Sequence, residues 1–302
     1  MLPPAYHDLT YRDDLAGPHL APVHALLRDI FAVDVAPLLE LGLNDPTYRA
    51  FCYLDPTGVC AANAAAFALP LIIAGRPVPA MGIQSVTTRP AWRHRGLSHA
   101  LVTRALHWCA TQSPLTFLMT PIPDFYAPFG FRTVRQFAYA GPAPAPASQP
   151  ASARRMDLAA HGDRRLLADT LRHRVPVSRH FAVTGAADAF ALNLLDAAGM
   201  TAWHLAPLAA IVVTAAGADG MLQLIDIAAP SIPTLAEILA ALGASPPQIA
   251  SGASPPQIEV LFPPDRLAWT GVPVPHHPSE TFMVRGDLPP LAPFMLPPTA
   301  RF

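Results

Sequence analysis

The chain has 302 residues, room for two cores at the usual span of roughly 100–200 residues per domain. Hydrophobic residues make up 52% of it, which excludes wholesale disorder. The 20 basic residues, all arginine, are balanced by 21 acidic ones, so there is no basic excess of the kind a phosphate-neutralising nucleic-acid binder needs. The cysteines, Cys52, Cys60 and Cys109, are odd in number and form no CxxC pair. A disulfide framework or a zinc ribbon is therefore not expected, nor is any metal site, and a reducing compartment fits best. The N-terminal stretch MLPPAYHDLTYRDD lacks the basic and apolar regions of a secretory signal. The most apolar run, Val59–Ala74, is interrupted by Asn63 and Pro70 and is short of the roughly 20 residues a membrane span requires. These features predict a soluble, cytoplasmic protein with neither a membrane nor a nucleic-acid partner.

In chain order, Tyr6–Tyr11 reads as a first strand. His19–Ala32 carries Leu20, Val23, Leu26, Leu27 and Ile30 at helical spacing, and a short helix follows over Val35–Leu41. Tyr48–Leu54 and Gly58–Ile73 read as strands joined by the turn Asp55-Pro56-Thr57-Gly58, and Pro79–Thr88 as another. Gly96–Thr111 has the strongest helical pattern, with Leu97, Ala100, Leu101, Ala105, Trp108 and Cys109 on one face and Ser113-Pro114 as its stop. Leu115–Thr120 is a short buried strand before a turn rich in proline and aromatics. The second half repeats this order: a helix over Ala187–Ala198, strands at Ala202–Thr214 and Met221–Ile227, a helix at Thr234–Leu242, and strands at Glu259–Phe262 and Thr281–Arg285.

The Pro/Ala stretch Gly141–Ala153 reads as a semi-rigid spacer. It divides the chain into 1–140, a linker at 141–153, and 154–302. The sequence GASPPQI occurs twice, at Gly243–Ile249 and Gly252–Ile258, as expected of a duplication tolerated in a surface loop.

The chemistry concentrates in Gly82–Phe131. A strand ends at Thr88, Pro90 breaks it, and Arg93, Arg95 and Gly96 stand at the entrance to the strongest helix. A helix N-terminus offers unpaired N–H groups and the positive end of the macrodipole, which suits a phosphate or pyrophosphate. Gly96 has no Cβ to obstruct a ligand's approach, Ser98 is small, and the two arginines supply charge. Read on physics alone, the segment is equally an ordinary strand–turn–helix with two solvated arginines.

The segment Arg93-His94-Arg95-Gly96-Leu97-Ser98 resembles the acyl-CoA loop [Q/R]-x-x-G-x-[G/A] of the GNAT superfamily of N-acyltransferases, with serine at the last position. The run Phe125-Tyr126-Ala127-Pro128-Phe129-Gly130-Phe131 resembles that superfamily's turn after the next strand. The resemblance spans about residues 5–140. It implies a mixed α/β sheet, with Val86, Thr87 and Thr88 offering backbone to the pantetheine arm. It further implies that Arg93, His94, Arg95, Gly96, Leu97 and Ser98 cradle the phosphates, and that Tyr126 lies near the thiol. The run Ser85-Val86-Thr87-x-x-Pro90-x-x-Arg93-x-Arg95-Gly96-Leu97 is similar to the enhanced intracellular survival (Eis) group, which carries a second, degenerate GNAT-like domain and then a sterol-carrier-like one. This implies tandem GNAT-like domains here, the second at 154–302 and without its own acyl-CoA site. The chain is too short for the third domain.

Acyl transfer to an amine requires a proton acceptor for the amine and a donor for the departing thiolate. Tyr126 is the expected donor, a phenol with an ordinary pKa of about 10; its alternative reading is a core aromatic. The strand offers only Gln84 and Ser85 where many GNAT enzymes place a glutamate. The Eis resemblance implies that the carboxylate of Phe302 returns as the base, against the reading of a frayed tail; Asp124 is a further candidate. The expected function is transfer of an acetyl or other short acyl group from acyl-CoA to a small-molecule or peptide amine, with a homo-oligomer allowed. A non-catalytic acyl-CoA-binding module is the alternative. A tRNA-dependent aminoacyl transferase is disfavoured by the near-neutral charge.

Overall fold

The computed structural model describes residues 6, 8–148, 150–196, 199–217, 221–243, 257–277 and 279–302. The first half runs β1 (Thr10–Arg12), α1 (Ala21–Phe31), α2 (Ala36–Glu40), β2 (Arg49–Leu54), β3 (Cys60–Ala68), β4 (Leu71–Ile73), β5 (Arg76–Val78), β6 (Met81–Thr88), α3 (Leu97–Gln112), β7 (Thr116–Thr120), α4 (Pro123–Tyr126), β8 (Arg132–Thr133) and β9 (Gln136–Pro142). The second runs β10 (Ala153–Arg155), α5 (His161–His173), β11 (Phe181–Val183), α6 (Ala187–Asp196), β12 (Met200–Leu205), β13 (Ala210–Ala216), β14 (Leu222–Ala228), α7 (Leu235–Leu242), β15 (Gln257–Val260), β16 (Val272–His276) and β17 (Thr281–Arg285).

Two seven-stranded sheets share one design. The first has the order β1-β2-β3-β6-β7-β17-β8 and the second β10-β12-β13-β14-β15-β9-β16. In each, four antiparallel strands are followed by a parallel step, β6 to β7 and β14 to β15. The crossover helices of those steps are α3 and α7. The mixed α/β fold and its tandem repetition therefore match the expectation from the sequence.

The halves also trade a strand. The C-terminal β17 lies beside β7 in the first sheet, pairing Thr281–Arg285 with Thr120–Thr116. The earlier β9 lies beside β15 in the second, pairing Tyr139 with Val260 and Gly141 with Ile258. The Pro/Ala stretch is anchored at both ends, since Gly141-Pro142 ends β9 and Ala153 opens β10. Ala147 and Ser152 donate their N–H groups to the carbonyls of Ala236 and Ala241 along α7.

Packing follows the alternation of the strands. β3 is almost all alanine between Cys60 and Ala66 and is buried there throughout. Its small side chains leave room for helices on both faces of the sheet. One face packs Leu97, Leu101, Val102, Ala105 and Leu106 of α3 onto Ala62, Ala64, Ala66, Met81 and Ile83. On the other face, α1 sets Val23, Leu26 and Leu27 over Ala50, Cys52 and Cys60. Further along that second face, Phe67, Phe117, Phe282 and Val284 meet Phe181, Phe294 and Leu296 from the second half. β4, β5 and β11 form a small three-stranded sheet that contributes to this shared core.

Several boundaries differ from the sequence reading. The first strand begins at Thr10 rather than at Tyr6. The apolar run to Ile73 is two strands, because Pro70 has no N–H for the ladder. α5, β9, β11 and β16 were not anticipated; β16 carries Pro273 and Pro275 at the sheet edge, where proline is tolerated. The GASPPQI duplication falls almost wholly outside the described residues. Among the described residues, no helix is long and apolar enough to cross a membrane.

Candidate functional site

β6 and β7 pair in parallel only from Met81 to Ile83, against Thr116 to Leu118. Beyond that, Met119 and Thr120 pair with β17, while β6 continues to Thr88 along β3. The two strands part, and a slot opens beside Gln84–Thr88. A bulge drives the parting. Asn63 opposes Thr87 and Ala65 opposes Gln84, so Ser85 and Val86 face a single residue of β3. Ser85 adopts the left-handed region at φ 57°, uncommon for a residue with a Cβ. Asn63, wholly buried, donates from Nδ2 to the Ser85 carbonyl at 2.9 Å and holds this bend.

The loop from β6 to α3 places the predicted cradle at the mouth of the slot. Gly96 sits at the N-cap of α3 with φ 77°, and no side chain caps the helix. The first N–H groups of α3 therefore point outward without partners within the helix. Arg93, His94, Arg95 and Gly96 are exposed, whereas Leu97 is buried and anchors the helix to the core. Arg93 Nε donates to the Thr88 carbonyl at 3.1 Å. Arg95 lies over the Trp92 ring at 4.6 Å and donates to the Ala91 carbonyl. The hydroxyls of Thr88 and Ser98 are 2.8 Å apart. Tyr6 donates to the Arg95 carbonyl at 2.8 Å, and a Cβ on Gly96 would come within 3.1 Å of its hydroxyl. Sequence reasoning missed Tyr6; it lies 89 residues from its partner, and no local pattern signals that contact.

Tyr126 closes α4, just after β7. It is 6% exposed and shares a cluster with Leu97, Leu101, Ile83 and Leu118, against which Val86 also packs. Phe125 and Phe131 meet its ring edge-on, and Phe129 lies 4.7 Å from His99 of α3. The aromatic turn is thereby fixed over the start of the helix. Burial pushes the Tyr126 phenol up to about 12, so it keeps its proton at any ordinary pH. Among the described residues, its hydroxyl has no hydrogen-bond partner.

Phe302 lies elsewhere. Its ring meets Phe67 edge-on at 5.2 Å, and Phe67 in turn occupies the space in front of Gly82, where a Cβ would collide with it. Phe302 is thus on the face of the first sheet opposite α3, beside the β6 segment that leads into the slot. Asp124 opens the first turn of α4.

The second slot shares the parallel step and the bulge but differs at the start of its helix. β14 and β15 pair in parallel from Leu222 to Leu224, and a register shift follows. α7, however, is closed at its N-terminus by a capping box: Thr234 accepts from the Glu237 N–H while Glu237 accepts from the Thr234 N–H and hydroxyl. Neither arginine nor glycine stands between Ala228 and Pro233. No open cradle faces a phosphate there.

Residues 34–134 match the family description "Acetyltransferase (GNAT) domain". Among solved structures, the chain resembles a conserved protein of unknown function from Enterococcus faecalis V583 at 16% identity and a TM-score of 0.55, covering 92% of this chain and 72% of that one. It also resembles Eis1 from Mycobacterium abscessus at 16% identity and a TM-score of 0.54, covering 92% and 73%. A GCN5-related N-acetyltransferase from Anabaena variabilis matches at 14% identity and a TM-score of 0.52, covering 92% and 72%. At these identities the likeness is one of fold. No curated protein matches.

Proposed function

We propose, from the match of residues 34–134 to an acetyltransferase (GNAT) domain, that this chain is an acyl-CoA-dependent N-acyltransferase with one donor site, in the first slot. The observation that carries the proposal is the open bend of β6 beside an uncapped helix N-terminus. The backbone of Val86, Thr87 and Thr88 would bind the pantetheine arm as an added strand edge. The N–H groups of Gly96, Leu97 and Ser98 would hold the pyrophosphate with the charge of Arg93 and Arg95 beside it; His94 shapes the loop at φ 61°. The tandem fold, with the second slot closed, supports domains at 1–140 and 154–302 as units of function that share strands.

Tyr126 would donate its proton to the departing CoA thiolate. Its un-ionised hydroxyl, on a buried ring, has a proton to give, and the group is regenerated from solvent or from the amine. The acceptor, a small-molecule or peptide amine, would approach the face that Phe302 borders and lose its proton there, to the carboxylate of Phe302 or to water. Acetyl-CoA or another short acyl-CoA is the donor we assign. A thiol-release assay with acetyl-CoA and a panel of amines tests the reading: amine-dependent release supports it.

A second reading has one observation behind it. β6 offers Gln84 and Ser85, and neither is a base at neutral pH. Acyl-CoA binding without turnover on any amine would favour a binding module.

A further inference from the structure

The bulge of the second sheet has its own polar contact. It leaves Val213 opposite Asp226 and Thr214 opposite Leu224, so Asp226 is the first residue of β14 to regain its pairing. Asn63 and Thr87 stand in the same relation in the first sheet. Asp226 is thus the topological counterpart of Thr87, a residue we place against the acyl donor.

Asp226 is 2% exposed and Thr299 wholly buried. The Thr299 hydroxyl donates to Asp226 Oδ2, and the Ile227 N–H donates to Oδ1 at 2.7 Å. The Arg174 guanidinium stands 3.9 Å from the same carboxylate and is itself tied to the Gly185 carbonyl at 2.6 Å. The turn Pro298–Ala300 that carries Thr299 packs on α6 and β14. From α6, Asn193 Nδ2 donates to the carbonyls of Thr299 and Arg301. The next residue, Phe302, reaches the first half and lies on Phe67. A small cavity remains beside the contact, lined by Arg174, Val177, Thr184, Asp226, Pro297 and Ala300.

A buried carboxylate is costly unless it is paired. Here the pairing is spent on the chain's own C-terminal turn. We infer that Asp226 and Thr299 form a latch in the closed second slot that holds Phe302 against the acceptor side of the first, which makes them positioning residues for acyl transfer. The inference rests on the proposed acyltransferase reading. It assigns the second half a task other than cofactor binding: to fix one wall of a site whose donor cradle belongs wholly to the first half.

The latch predicts a split in the kinetics. Thr299→Val keeps the shape of the side chain and removes the donor. It should lower kcat by about tenfold while the affinity for acetyl-CoA changes by less than about twofold, because the donor cradle is untouched. Thr299→Ser restores the hydroxyl and should recover most of the turnover. Hydrogen exchange of the amides at Ala300–Phe302 should quicken in Thr299→Val and not in Thr299→Ser. Unchanged exchange there would overturn the latch, whatever the activity. Faster exchange with undiminished turnover would overturn its positioning role. If the wild-type chain binds acetyl-CoA but acylates no amine, the acyltransferase reading fails and takes the positioning role with it; the exchange comparison still decides the latch.

Discussion

The hydroxyls of Thr88 and Ser98 lie 2.8 Å apart and join the end of the bent strand β6 to the first turn of α3. One contact thereby fixes the two surfaces between which the donor is proposed to lie. Both side chains are small and only part-buried, so the pair secures the loop without filling the slot. Ser98→Ala should cost about 1 kcal/mol from the lost hydrogen bond. Because the loop would then be less ordered before binding, the affinity for acetyl-CoA should fall about threefold to tenfold. Calorimetry on the variant, together with its melting temperature, checks both.

Tyr126→Phe keeps the ring that packs among Leu97, Leu101 and Phe131 and deletes only the hydroxyl. Turnover should drop roughly 100-fold, the lower end for a lost general acid, with acetyl-CoA affinity unchanged. Since burial holds the phenol near 12, its ionisation should leave no mark on the rate below about pH 11. The rise in kcat/KM with pH should follow the amine's own pKa and should shift when the amine is changed. A wild-type limb near pH 8 to 9 that stays fixed across amines and vanishes in Tyr126→Phe would contradict this role.

The exchange of β9 and β17 ties the halves together in folding. A fragment ending at residue 140 would lack β17, which completes the sheet between β7 and β8. It would also expose Phe117, now stacked on Phe282 at 5.3 Å. Such a fragment should not form a cooperative native state, as judged by near-ultraviolet circular dichroism and by the loss of a sharp urea transition. A well-folded fragment would show that the exchanged strand is dispensable.

Acid should unfasten one surface joint late, below the range in which ordinary carboxylates titrate. Asp163, at the start of α5, accepts from both terminal nitrogens of Arg154 and from the Asp157 N–H. These contacts, the Arg154 hydrogen bond foremost, lower its pKa to about 2 from 3.8. The stability it contributes is complete above about pH 4 and is lost as the pH falls toward 2. Arg154 is half-exposed, so solvent screens the pair and the contribution is small. Asp163→Asn should be less stable than the parent in urea at pH 7, and the gap should close at pH 2.

Much of the first half was legible because its signals are local. Apolar spacing gave α1 and α3, and the Arg93–Ser98 loop marked the cradle by residue types that any phosphate site needs. The bend that opens the slot was not legible. It depends on Asn63, which in the sequence merely interrupts an apolar run, and on Ser85 taking a left-handed conformation normally left to glycine. Tyr6 and the exchanged strands share that difficulty, since each acts on partners some 90 to 170 residues away. In the second half the missing cradle could be read from Ala228–Pro233. The capping box was present as Thr234 and Glu237, yet its consequence emerged only when α7 proved to be the counterpart of α3. The partner of Asp226 gave no sequence signal at all, because Thr299 reaches it from the far end of the chain.

The central claim is a single acyl-donor site per chain, in the first slot, and titration calorimetry with acetyl-CoA tests it most directly. The wild-type chain should bind one acetyl-CoA. Gly96→Asp, which sets a side chain at a φ that disfavours one and a negative charge where the phosphates would lie, should reduce that affinity by at least about 100-fold. Its urea transition should stay cooperative, which shows that the chain still folds. Undiminished binding in Gly96→Asp, or two molecules bound per wild-type chain, would contradict the account.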